Sequence, residues 1–541
     1  MTVRISTGLA RRAVLGAALA LSLPLAACGS DSSGGGGPDP ATAVPAKAPM
    51  YLNVTVRPEG DLKDNTLEVA GKLLNTKDPQ AEFKKLLTDA GSETNTAKLN
   101  YDEDLKPWLG QEIGLFFTKL SEGDDSQGAL VLQTTDTGKA QDSLDKQLKQ
   151  PSKPGQPTPT VKEIDYNGEK VQVASDDSAA AVVDDLALIG SVSGVKAAVD
   201  ALKSDGGSLA DSSTYKKAVG ALADEDETIG SVYLDIQGTF DQVAASGELD
   251  KSEAVAARQA LSASGFDSVA MGLSVEENAL RVDVASPLKK AQPDLGDPSK
   301  TVASMPGDAW FAAGVGDIQK VVENQLNQLS TVTALGGADV NTLIEQLNRQ
   351  LGTDIRGDLL AWMGEGAVFV RGTNLADIGG ALVVQVKDTA KAKASLPTIQ
   401  RLIKTFAGQG VKIRPLSASG VDAGFTVQTE QIPLPINVAL AGDKFIVAVT
   451  DTALAAAIKP TGTLADNAGF KDAADALGDG IQPGVYLGFR PVLDLVEGFG
   501  AAEDPDYKQV KPTLDQLQAL AAGANSEDDI SRQRIVLTLN D

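Results

Sequence analysis

The feature that most constrains this chain is an internal repeat. Asp104-Leu105-Lys106-Pro107-Trp108-Leu109-Gly110 is answered later by Asp358-Leu359-Leu360-Ala361-Trp362-Met363-Gly364. Each block is followed by an apolar run, EIGLFF and then GAVFV, and by a second one, GALVLQ and then GALVVQ. Asp136-Thr137 and Asp388-Thr389 then open Ala/Lys-rich stretches. Further on, SLAD before Tyr215-Lys216 corresponds to TLAD before Phe470-Lys471, and Val232-Tyr233-Leu234 to Val485-Tyr486-Leu487. Subtracting positions gives a nearly constant offset of about 252–255 in unbroken order, the mark of a repeat rather than of chance.

A tandem duplication therefore predicts two related lobes, 49–290 and 301–541, joined by a linker at 291–300 within LKKAQPDLGDPSK. The second lobe reads as less complete at its end. VAMGLSVE and ALRVDVA of the first have only RIVLTL as a clear counterpart. Strands come in consecutive short runs, such as VKEIDY, EKVQVAS, AAVV and LALIGS. Helices are marked by caps. Asp78-Pro79 opens one with Phe83, Leu86 and Leu87 on a face and Gly91 at its end. Asp317 opens a stripe of Ile318, Val321, Val322, Leu326 and Leu329, and Asp339 one of Val340, Leu343, Leu347 and Leu351. Runs of strands and runs of helices predict an α+β fold, each lobe a mostly antiparallel sheet packed by helices.

The N-terminus carries an address. Arg4, Arg11 and Arg12 precede the apolar run AVLGAALALSLPLA, which ends at Ala26-Ala27-Cys28. A basic start, a short apolar core and small residues at a cut site describe a secretory signal peptide over 1–27. The run falls short of the ~20 residues that span a bilayer. Cys28 is the only cysteine in the chain. Residues 29–48, rich in Gly, Ser and Pro, read as a flexible tether averaging about 25 Å end to end. Arg11-Arg12 before Ala-Val-Leu also fits a twin-arginine export signal, and the choice between the two export routes stays open.

Leu25-Ala26-Ala27-Cys28, with Gly29 following, resembles the lipobox of bacterial lipoproteins. That resemblance implies cleavage between Ala27 and Cys28 and a diacylglyceryl thioether, palmitate-bearing, on the Cys28 sulfur. It places the protein on the extracytoplasmic face of the cell membrane, held by its lipid. The Trp-x-Gly turns, the twofold repeat and the overall length, with this lipobox, resemble an uncharacterised family known only as domain of unknown function 3352. The likeness covers nearly all of the chain after the signal. It implies no activity, because none is assigned to that family. The Ala/Gly/Val/Asp-rich composition is similar to that of high-GC actinobacterial lipoproteins.

Composition narrows the chemistry. With no second cysteine, the exported protein must hold together by core burial alone. The formal charge of −25 becomes −28 once the three arginines of the signal are removed, a surface that repels nucleic acid. The chain has no histidine, which excludes Ser-His-Asp and Cys-His catalysis, histidine-ligated zinc and histidine acid–base work. No dinucleotide fingerprint, Walker A loop or GxSxG elbow is present, so no cofactor is expected.

The candidate residues each have two readings. Trp108 and Trp362 are symmetry-related ligand platforms or, as is expected of a residue repeated in both halves, gap-fillers between helix and sheet. Gly110 and Gly364 would supply the turn into the next strand. Acidic clusters at Asp102-Glu103-Asp104, Asp224-Glu225-Asp226-Glu227 and Glu527-Asp528-Asp529 match no EF-hand spacing and read as solvated loops. Ser213-Thr214-Tyr215-Lys216 and Ser286-Pro287-Leu288-Lys289 have the S-x-x-K spacing of acyl enzymes but lack the companion motifs. These observations favour a non-enzymatic envelope lipoprotein that binds another envelope component or serves a structural role. The alternative is a carrier of lipid or another apolar ligand in a cleft. A hydrolase would need two carboxylates facing each other in a deep polar cleft.

Overall fold

A computed structural model describes residues 37–81, 101–120, 126–150, 157–203, 207–222, 227–246, 250–333, 340–374, 377–407, 410–429 and 434–540. The fold is α+β, with helices packed on antiparallel sheet. It divides into two compact units. Unit 1 is Met1–Ala291 with Ser526–Arg532, and unit 2 is Gln292–Asn525 with Gln533–Asp541. Cys28, Ala27 and the signal lie outside the described residues, as do Phe83, Leu86, Leu87, Gly91 and Asp339 of the expected helices. Among the described residues no helix is long and apolar enough to cross a membrane.

Unit 1 contains β1 (Met50–Thr55), β2 (Leu109–Lys119), β3 (Gln127–Thr134), β4 (Val161–Tyr166), β5 (Glu169–Ala174), β6 (Ser178–Val183), β7 (Leu186–Ser191), β8 (Thr228–Asp235), β9 (Ser268–Glu276) and β10 (Ala279–Pro287). Across the sheet they run β4-β5-β6-β7-β3-β2-β1-β8-β9-β10, every neighbour antiparallel. Asn167-Gly168 closes the β4–β5 hairpin with positive φ at both residues, as a tight primed turn requires. Alternation along the strands sends side chains to two apolar faces. One face packs Phe116, Val131, Leu186 and Leu188 with Val195 and Val199 of the Val192–Lys203 helix. The other packs Leu52, Val54, Leu132, Ala180 and Ala187 with Ala140, Leu144 and Leu148 of the Thr137–Leu148 helix.

The expected tether is too long at its inner end. Asp39 Oδ1 accepts the Ala41 N–H at 2.8 Å and caps a short helix, Pro40–Ala43. Ala41, Ala43, Val44 and Ala48 are buried in the first core. The small side chains that make this stretch look like a linker are what let its backbone lie close against the sheet.

Unit 2 contains β11 (Ala309–Val315), β12 (Met363–Arg371), β13 (Gly379–Val386), β14 (Lys412–Pro415), β15 (Ala423–Gln428), β16 (Ile436–Ala441), β17 (Lys444–Val449), β18 (Val485–Gly488), β19 (Leu517–Glu527) and β20 (Ile530–Leu539). Their order is β14-β15-β16-β17-β13-β12-β11-β18-β19-β20, that of unit 1 with each strand ten places on. The end of this unit is complete. β19, LQALAAGANSE, is the strand that sequence reading missed, because Ala, Gly and Asn lack the branched side chains that mark strands. The hairpin tip Ser526–Arg532 groups with unit 1, where Leu288 N–H donates to the Asp529 carbonyl and Ile530 packs on Ala221 and Ala285. The later part of the expected linker is also structured. Ser299–Ala303 is a helical turn with Val302 buried.

Candidate apolar binding pocket

Both tryptophan turns are built alike. Trp108 is 1% exposed and Trp362 is fully covered. Each indole Nε1–H donates to the carbonyl four residues back, Asp104 at 2.6 Å and Asp358 at 3.2 Å. Each tryptophan carbonyl accepts the N–H of the residue before the next helix cap, Thr135 at 2.7 Å and Lys387 at 2.8 Å. A covered indole presents no face to a ligand. These residues tie helix to sheet. Neither Gly110 nor Gly364 has positive φ, so neither makes a turn by that route. A Cβ on Gly110 would lie 2.6 Å from Gln133 Cβ, and one on Gly364 would lie 3.0 Å from the Gln385 carbonyl oxygen. Close approach of neighbouring strands is what demands glycine here.

After each turn a cap of the same design starts a helix. Asp136 Oδ1 accepts the Lys139 N–H and Asp388 Oδ1 the Lys391 N–H, both at 3.0 Å. The Lys139 side chain, then its backbone N–H, holds the Asp136 carboxyl below its ordinary range. The helices then differ. Thr137–Leu148 has 12 residues and Thr389–Ala407 has 19. Pro397 lies inside the longer one and withholds an N–H from its ladder.

Beneath that longer helix unit 2 has a half-open pocket of about 540 Å³. The helix contributes Ile399 and Ile403, the turn before β12 Leu359, and β12 Met363. Val427 and Thr429 come from β15 and just beyond it, Ile436 and Val438 from β16, Phe445 and Val447 from β17. Nine of the ten are apolar. Ile399, Ile403, Leu359, Met363, Ile436 and Val447 keep part of their surface open. Phe445 also meets Trp362, ring centroids 5.0 Å apart, so the repeated tryptophan supports one wall from behind. The volume is that of a small-molecule site, commonly about 300–1,000 Å³ with mostly apolar walls. Sequence reading missed these residues. Their one signal is the second helix outrunning its counterpart.

Unit 1 has a polar cavity of about 630 Å³ lined among others by Asp39, Asn53, Glu112, Gln133, Tyr215 and Lys216. Burial pushes the Asp39 carboxyl up, against the pull of the Ala41 N–H it accepts. Both carboxylates already serve the fold. Asp39 caps the Pro40–Ala43 helix, and Glu112 Oε2 accepts from Gln133 Nε2 at 3.3 Å. Gln133 in turn accepts the N–H groups of Gln111 and Glu112 and donates to the Pro38 carbonyl.

The other candidates are scattered. Asp104 is buried and bonded to Lys146 Nζ, while Asp102 stands 4.0 Å from Lys106. Glu227 pairs with Arg281, and Asp224, Glu225 and Asp226 lie outside the described residues. Asp528 and Asp529 form the β19–β20 turn with positive φ. Ser213 is exposed on the first turn of the Ser213–Val219 helix, and Lys289 is paired with Asp267.

Fold and site together define an α+β protein with an apolar pocket in its second unit. The chain belongs to the family described as Protein of unknown function (DUF3352), whose family model matches residues 10–539. No curated protein matches the chain significantly. Among solved structures, that described as crystal form III of TP0453 aligns with 50% of this chain and 88% of its own at 9% identity, TM-score 0.23. Crystal form I of TP0453 aligns with 47% and 80% at 11% identity, TM-score 0.24. Such scores are too low to carry a fold or a ligand across.

Proposed function

We propose that this is a non-enzymatic, lipid-anchored extracytoplasmic binding protein, built by tandem duplication, whose second unit takes up an apolar ligand. The observation that carries the binding reading is the pocket beneath the Thr389–Ala407 helix, with nine apolar residues among its ten. Each buried methylene of a ligand contributes about 0.8 kcal/mol, so a chain of about ten gains roughly 8 kcal/mol before the cost of association. The identical strand order of the two units supports the duplication. The basic start, the short apolar run and the lone Cys28 support the anchor and the membrane location.

Native mass spectrometry after gentle extraction tests the binding reading. A co-purified apolar molecule is expected, lost in a Val438→Trp variant that fills the pocket. An empty protein that also fails to bind added alkyl probes would refute it. Labelling with radioactive palmitate tests the anchor. Incorporation that persists in Cys28→Ser would sink that part.

A further inference from the structure

We infer that the polar pocket of unit 1 is a second binding site, taking a neutral polyhydroxy ligand of the sugar class. Strand pairing builds its floor. Alternation puts Tyr51, Asn53 and Thr55 on one face of β1. Asn53 pairs with Gly114 of β2 and Ser231 of β8, and Thr55 pairs with Glu112. Asn53, Thr55, Glu112 and Ser231 all line the pocket, and the Ser213–Val219 helix adds Tyr215 and Lys216. Its volume of about 630 Å³ falls within the range of small-molecule sites.

Two polar groups at this floor lack partners. Asn53 Oδ1 is buried and accepts no hydrogen bond among the described residues. Tyr51 is 1% exposed, and its hydroxyl is likewise unpartnered. Its ring lies over Gly114, where an added Cβ would come within 2.9 Å of it, so both groups stand at the Asn53–Gly114 pair. Buried polar groups left unmet oppose folding. The strand itself does not require them. Pairing places Gly314 of β11 where β1 has Asn53, and Ala312 where it has Tyr51. A Cβ on Gly314 would lie 2.6 Å from Pro298 Cβ and 2.7 Å from Val302 Cγ2. Unit 2 thus packs apolar side chains where unit 1 has a polar pocket.

The lining also selects the class of ligand. Asp39 and Glu112 oppose an anion, and Lys216 opposes a cation. An alkyl chain would leave Asn53 Oδ1 unmet. A hydroxyl both donates and accepts, so a ring bearing several can meet Asn53 Oδ1 and Lys216 Nζ together.

Saturation-transfer NMR and titration calorimetry on the full-length chain test this, with glucose, galactose, maltose and myo-inositol as neutral probes. Glucosamine and glucuronate place a positive or a negative charge on the same ring, and tetrahydropyran-2-methanol strips its ring hydroxyls. At least one neutral probe is expected to bind about tenfold tighter than these three. Asn53→Leu, close in volume, is expected to weaken that binding about tenfold or more. Its melting temperature should stay level or rise, because the change removes a buried acceptor without a partner. Ser231→Ala, on the paired strand, is a milder variant expected to weaken binding without loss of fold. Saturation transfer to none of the neutral probes overturns the site and leaves a pocket for water. Tighter binding of glucosamine or glucuronate overturns the neutral class. A lower melting temperature in Asn53→Leu with binding unchanged makes Asn53 structural and overturns its role. None of these outcomes touches the unit 2 pocket.

Discussion

The two units lay the same strand order under a helix that starts from the same cap, and in unit 2 an apolar pocket opens beneath that helix. In unit 1 the Thr137–Leu148 helix closes on small residues, and Ala140, Ala180 and Ala187 are all fully buried. The two-residue turns of the β6–β7 and β16–β17 hairpins align their registers, so Val438 occupies the place of Ala180 and Phe445 that of Ala187. Larger side chains thus line the sheet under the longer helix, where the pocket opens.

The largest expected effect sharpens this contrast at the tryptophans. Trp108→Ala removes an indole from a filled interface and is expected to cost about 3–5 kcal/mol. Trp362→Ala is expected to fall at the lower end of that range, because Phe445 has room to move into the space. Urea unfolding followed at each remaining tryptophan separates the two. A larger loss at Trp362 would break the comparison.

Next in size is an overpacking pair. Ala180→Val adds volume where none is free and is expected to cost about 1–3 kcal/mol. Val438→Phe adds volume beside the pocket and is expected to change stability by less than about 1 kcal/mol while abolishing ligand uptake. Equal destabilisation by both would show that the cavity is not available space.

Much of this architecture is legible in the sequence. Asp136, Asp388, Trp108 and Trp362 are strong local signals with fixed geometry, and they sit where the repeat placed them. β19 was illegible because an Ala/Gly-rich strand looks like loop when its partner strand is not in view. The 40–48 segment was illegible for a related reason: burial of alanine depends on how closely a neighbour approaches, which composition does not record. The pocket was the hardest. Ile399, Val427, Val438 and Phe445 have the periodicity of core residues, and a void is a difference in volume between elements far apart in sequence.

The smallest effect lies at the helix that follows the first strand of each unit and is read through pH. In unit 2 Asp317 Oδ1 accepts the Lys320 N–H at 3.2 Å and its other oxygen meets Lys387 Nζ at 2.7 Å. Burial alone would raise this carboxyl, but the Lys387 bond, the Lys320 N–H and both positive charges hold it below its ordinary 3.8. A depressed folded value stabilises the protein above the unfolded value near 3.9, and that contribution disappears as pH falls through the folded one. Asparagine caps as well as aspartate, so Asp317→Asn removes charge and leaves the cap. The half-exposed pair limits the loss to a fraction of about 1 kcal/mol. It should be full at pH 6 and fade below pH 4 in paired urea titrations. In unit 1 Glu59 precedes the Gly60–Leu73 helix without any side-chain cap bond, so Glu59→Gln removes none. A pH-independent loss in Asp317→Asn would mean that packing, rather than charge, distinguishes the two helix starts.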